Sequence, residues 1–173
     1  MKFKSIATAL LGAVAACSTM AFKAEAQSVS FACENIGGEW RTYADVNGQM
    51  ANSPMIRWTT TLGGGQWDPA RRCQTVTRKL NWEVRRNGGT MDGLFWNVGL
   101  VNNSLAVCFG NVRTGRRSCN SRNMLFTLKP ENARDAGTVL TKLYGAIEGW
   151  STGAITESNS DAGAVNASDT LGF

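Results

Sequence analysis

The sequence predicts an α+β fold: an antiparallel sheet of about five or six short strands packed by two helices at about 69–86 and 132–147, stapled by two disulfides. Three observations carry this expectation: an even set of cysteines behind an export-type leader, short β-branched and aromatic runs punctuated by glycine and asparagine, and two stretches of helical apolar spacing. Of five cysteines, Cys17 falls within the leader, which leaves Cys33, Cys73, Cys108 and Cys119 for the folded part. In a chain that leaves the cytoplasm such a set reads as a disulfide framework.

The leader is read at residues 1–26. Lys2 and Lys4 supply a positive start, and Ile6 to Ala16 is an uncharged apolar run too short to span a bilayer. Two processing sites compete. Ala24-Glu25-Ala26 before Gln27 has the small-x-small pattern of signal cleavage and is favoured, whereas Val14-Ala15-Ala16-Cys17 fits a lipobox that would acylate Cys17 and hold the protein on a membrane. Residues 27–149 are then one α+β domain. From Trp150 the composition turns to Gly, Ser, Asn, Ala and Thr, with acids at Glu157, Asp161 and Asp169, which reads as a disordered acidic tail over 150–173.

Along the domain, Val29, Phe31 and Cys33 alternate with small or polar residues, and Trp40 and Tyr43 follow Gly37-Gly38, giving a first hairpin. Pro54 precedes a third strand at Met55 to Thr60, ended by a turn at Gly63-Gly64-Gly65 that lacks the Lys-Ser/Thr of a phosphate loop. Asp68-Pro69 is an N-cap followed by proline at the first helical position, and Cys73, Val76, Leu80 and Val84 recur at helical spacing until Asn87-Gly88-Gly89. Alternation at Leu80, Trp82 and Val84 leaves the last turn open to a strand reading. Phe95 to Val101 and Ser104 to Phe109 flank Asn102-Asn103 as a second hairpin, Asn123 to Leu128 is a buried strand, and Val139, Leu140, Leu143 and Ile147 mark the final helix.

Four cysteines allow three pairings. Cys108 with Cys119 closes a short arginine-rich loop, which leaves Cys33 on the first strand to meet Cys73 on the buried stripe of the helix. Zinc is the weaker reading, because the chain has no histidine and no Cys-x2-Cys to Cys-x4-Cys spacing. The same lack of histidine removes the Ser-His and Cys-His nucleophile pairs. Among carboxylates Glu34, Glu39, Asp45, Asp68, Glu83 and Asp92 no spacing brings two together, so a carboxylate-dependent hydrolase is the weakest reading, and no cofactor motif is present.

The net charge is +5, and the excess of cations lies before residue 150. Arg71, Arg72, Arg78, Lys79, Arg85 and Arg86 fall opposite the apolar stripe of the first helix, and Arg113, Arg116, Arg117 and Arg122 lie in or near the Cys108–Cys119 loop. Together they predict a basic face for an anionic partner, and in an exported protein the available anions are lipid headgroups, acidic wall polymers and polysaccharides rather than nucleic acid. The bland alternative is a merely solvated helix face. Among the tryptophans, Trp40, Trp58 and Trp96 are expected in the core, while Trp67 and Trp82 are expected at the surface, where they could contact sugars, headgroups or arginine.

Four blocks in order, PMIRW at 54–58, RRCQTVTRKL at 71–80, GLVNNSLAVC at 99–108 and LFTLKP at 125–130 after Cys119, resemble the cyanobacterial circadian oscillating protein family over about Phe31 to Leu143. The resemblance implies an exported or membrane-peripheral protein, in periplasm, thylakoid lumen or cell envelope, with no assigned reaction and no catalytic residues to carry over. It gives no inherited meaning to the Gly63 loop or to the tail. The leading expectation is therefore a non-enzymatic exported protein peripheral to a membrane or envelope surface; an acidic-polysaccharide or wall-binding module is the alternative.

Overall fold

The computed structural model describes residues 27–59, 61, 65–149 and 153–157. The expected leader at 1–26, with its two candidate processing sites, lies outside them, as do Gly63, Gly64 and Trp150.

The fold is α+β. Strands β1 (Val29–Ile36) and β2 (Glu39–Val46) form the first hairpin, and the short β3 (Gln49–Met50) and β4 (Ile56–Trp58) add to β2. Helix α1 (Pro69–Arg86) follows. Asp68 accepts from the Arg71 amide at 2.7 Å and Pro69 opens the first turn, so the predicted start holds, and the helical apolar stripe carries through Leu80 and Val84 to Arg86. Next come β5 (Leu94–Val101) and β6 (Ser104–Asn111), joined by Asn102 and Asn103 at φ 51° and 60°, the left-handed pair that a two-residue hairpin turn demands. Strand β7 (Met124–Thr127) pairs with β6.

Three details depart from the expectation. The single sheet is two: a five-stranded sheet in the order β1-β2-β4-β8, with β3 beside β2, and a separate three-stranded sheet β5-β6-β7. The final helix is broken into α2 (Pro130–Arg134) and α3 (Ala136–Glu148), because Asp135 leaves helical geometry at φ −132° and ψ 57° to cap α3 through the Thr138 amide. Within the expected tail, Ile155–Glu157 is strand β8, parallel to β4 with Ile56 opposite Ile155 and Trp58 opposite Glu157. Residues 158–173, with Asp161 and Asp169, lie outside the described residues.

One apolar core joins the two sheets. Val76, Leu80 and Val84 of α1 and Val139, Leu143 and Ile147 of α3 share a buried cluster with Phe31, Trp58, Trp96 and Phe109. Trp96 stacks on Phe109 at 4.4 Å between centroids, and Phe31 meets Trp96 edge-on at 6.5 Å, which ties β1 to β5 and β6. Trp40 is only half-buried. Cys33 is bonded to Cys73, which fastens β1 to α1, and Cys108 is bonded to Cys119; the Cα separations are 5.7 and 5.6 Å. The two disulfides suit an oxidising, exported compartment, and among the described residues no helix is long and apolar enough to cross a membrane.

Candidate functional site

Helix α1 is amphipathic because its apolar residues return every three or four positions, and at 100° per residue this leaves one side for solvent. Arg71, Arg78 and Arg85 stand seven residues apart on that side, about 10.5 Å between neighbours at 1.5 Å rise per residue. The two expected surface tryptophans accompany them. Trp67, 39% exposed, lies under the Arg71 guanidinium at 4.9 Å, and Trp82, 46% exposed, lies under Arg86 at 4.4 Å. None of Arg71, Arg78, Arg85 and Arg86 has a carboxylate within ion-pair distance among the described residues, and Arg117 and Arg122 of the second basic segment are likewise exposed and unpaired there.

The other four predicted cations are placed differently. Arg72 is 5% exposed: one position round from Arg71, it turns inward over the Trp58 ring at 4.8 Å and donates to the Glu157 carbonyl at 3.3 Å. Its Nη2 stands 3.9 Å from the Glu157 carboxylate. Arg72 therefore belongs to the core, not to the surface face. Lys79 is half-buried and donates to the Met124 carbonyl at 2.8 Å, and burial pushes its pKa down. Arg116 is paired with Glu83 at 2.7 Å, and Arg113 is paired with Asp92. Through the Arg116–Glu83 and Lys79–Met124 contacts the arginine-rich loop and β7 are held against the flank of α1.

Glu157, a candidate that sequence reasoning missed, is 1% exposed. Its side chain accepts from the Lys129 amide at 3.2 Å and from the Asn132 side chain, and burial, outweighing those bonds and the Arg72 charge, pushes its pKa up to about 7. Burial likewise lowers the Arg72 pKa, against the pull of Glu157. Of the acids considered in the sequence, Glu39 is held below the usual carboxylate range by Arg57 and then Arg41, Asp68 caps α1, and Glu83 and Asp92 have the partners named above. No group of three Cys, Asp or Glu side chains suited to a metal occurs among the described residues.

Between α1 and β7 lies a cleft of about 250 Å³, bounded by Trp67, Arg72, Val76, Lys79, Leu125 and Phe126. It forms because β7, which among the described residues pairs with β6 alone, comes to rest against the flank of the helix, where Lys79 reaches the Met124 carbonyl. The sequence does not mark it, since Lys79 falls with the other cations opposite the apolar stripe and the cleft arises only where β7 meets the helix.

Comparison with known proteins gives a family and nothing beyond it. No curated protein and no solved structure matches the chain. The family model described as circadian oscillating protein COP23 matches residues 30–171, which extends past the resemblance at about 31–143 and spans both the Gly63 loop and most of the C-terminal stretch. With most of the chain inside that span, this protein belongs to the circadian oscillating protein COP23 family.

Proposed function

We propose that the protein is a non-catalytic exported module that associates peripherally with an anionic membrane or envelope surface through the outer side of α1. The observation that carries this reading is the row Arg71, Arg78 and Arg85 with Arg86, exposed and without carboxylate partners among the described residues, bordered by two exposed indoles. Each such cation near an anionic surface contributes about 1 kcal/mol, so four give about 4 kcal/mol, which is millimolar, salt-reversible attachment. Trp67 and Trp82 suit the headgroup boundary, where an apolar ring with one polar edge is favoured.

The test is co-sedimentation of the disulfide-bonded protein with phosphatidylglycerol-containing and purely phosphatidylcholine vesicles. Binding should require the anionic lipid, vanish in about 0.5 M salt, and be lost in Arg71→Glu/Arg78→Glu/Arg85→Glu. Equal binding to neutral vesicles, or indifference to charge reversal, overturns the reading. The exposed indoles also favour a second reading, an acidic polysaccharide or wall polymer gripped by ring stacking as well as charge. Under that reading Trp67→Ala/Trp82→Ala abolishes retention on an acidic-glycan column while lipid attraction is largely kept.

A further inference from the structure

The cleft between α1 and β7 has features that surface attachment does not use. Its walls are apolar and set by the core. Val76 is buried on α1, Leu125 and Phe126 are buried on β7, and Phe126 meets the Trp58 ring edge-on at 5.5 Å, so that wall is pinned from behind. Arg72, the cation at the back, is engaged with Glu157 and Trp58. Lys79 is different. A lysine ammonium has three donors, and here the Met124 carbonyl at 2.8 Å is the acceptor; no carboxylate stands within ion-pair distance among the described residues. A half-buried ammonium short of an anion, at the edge of an apolar hollow, is a recognition element for a ligand with one negative end and one apolar end. Trp67 also lines the cleft, with the Arg71 guanidinium over its ring.

We propose that this cleft binds a small apolar carboxylate, its carboxylate paired with Lys79 and its body lying on Val76, Leu125 and Phe126 beside Trp67. Size follows from the space: about 250 Å³, at the ~30 Å³ that a water molecule occupies, holds about eight non-hydrogen atoms. A single aromatic ring or a short acyl chain fits, and a two-chain lipid does not. The site shares Trp67, and through it Arg71, with the surface reading, but its anion partner is Lys79 and it needs none of Arg78, Arg85 and Arg86, so failure of one reading is distinguishable from failure of the other.

The experiment is a titration of isotope-labelled, disulfide-bonded protein followed by amide and indole NMR signals, with benzoate and hexanoate as probes and benzamide and hexanamide as uncharged controls. Saturable shifts are expected at the Trp67 indole and at the Lys79, Leu125 and Phe126 amides, with the amides binding about tenfold or more weakly, because a charged partner is lost. Lys79→Gln should weaken the carboxylates by a similar factor and leave the amides unchanged. A preference for benzoate identifies ring acids as the ligand class; a preference for hexanoate identifies acyl chains. The proposal is overturned if no saturable shift occurs up to about 10 mM, if amides bind as well as acids, or if the shifts gather on the Arg71–Arg85 side of α1. The acid-against-amide comparison uses the unaltered protein, so it decides even if Lys79→Gln fails to fold.

Discussion

Glu157 lies beneath Arg72 with bonds from the Lys129 amide and Asn132, yet the Arg72 nitrogen is 3.9 Å away and burial dominates, so its pKa rises from 4.5 to about 7. The native state therefore holds a proton on this carboxyl that the unfolded chain releases between about pH 4.5 and 7. Stability from this group is fully present below that window and is lost as pH rises through it, by an amount on the order of 3 kcal/mol. The thermal midpoint of the protein should fall between pH 5 and 7.5, and Glu157→Gln, whose neutral amide stands in for the protonated carboxyl, should flatten that limb. An unchanged limb in the variant would show that another group titrates there. Gly110 poses a steric rather than an electrostatic constraint. It faces Phe95 across the β5–β6 ladder, and a Cβ there would run into the Phe95 ring. Gly110→Ala should cost about 1–3 kcal/mol as overpacking, read as a lower urea midpoint with an unchanged slope; an unchanged midpoint would mean that the ring moves aside freely. Neither residue was legible. Glu157 stood in a stretch without periodicity, and the role of Gly110 exists only once a hairpin register sets Phe95 opposite it.

At the level of elements, the disulfides differ in what they join. Cys33–Cys73 spans 40 residues and ties β1 to α1, whereas Cys108–Cys119 spans 11 and closes the loop that leads to β7. In the chain-entropy account their contributions are about 4 and about 3 kcal/mol. Cys33→Ala/Cys73→Ala should therefore lower unfolding free energy more than Cys108→Ala/Cys119→Ala, and the reverse order would show that native contacts, not loop closure, set the values. Both pairs could be read beforehand because each cysteine sat on a recognisable element: a strand, a buried helical stripe, and the two ends of one loop. Helix α1 was legible from its start at Asp68-Pro69, whereas its last turn was open to a strand reading because Leu80, Trp82 and Val84 also alternate, and the structure carries the helix to Arg86 before Asn87-Gly88. The break between α2 and α3 was not, because apolar spacing on either side continues through Asp135, whose cap on Thr138 is a local bond that periodicity does not register. Strand β8 was hidden for another reason: three residues carry little pattern, and its partner β4 lies almost a hundred positions earlier. Half of the cleft was invisible likewise, since it arises only where β7 comes to rest on α1.

For the molecule as a whole, two sheets that share no ladder among the described residues could unfold separately, but the packing argues otherwise. Helix α1 contributes Val76, Leu80 and Val84, and α3 contributes Val139, Leu143 and Ile147, to a single buried cluster that takes Trp58 from the five-stranded sheet and Trp96 from the three-stranded one. Phe31 against Trp96 crosses between the sheets directly. Removing either sheet would strip apolar surface from the other, at about 25 cal/mol for each Å² exposed, so neither half retains a closed core alone. One cooperative transition is expected, with far-ultraviolet circular dichroism, tryptophan fluorescence and amide-exchange protection near Trp58 and Trp96 lost together. If the three-stranded sheet melted first while Trp58 stayed buried, the shared core would not be the unit of stability. The two charged faces of α1 would then also separate, because the cleft at Lys79 depends on β7 remaining docked whereas the arginine row depends only on the helix. Coincident transitions would mean that surface attachment and ligand binding stand or fall with the same folded state.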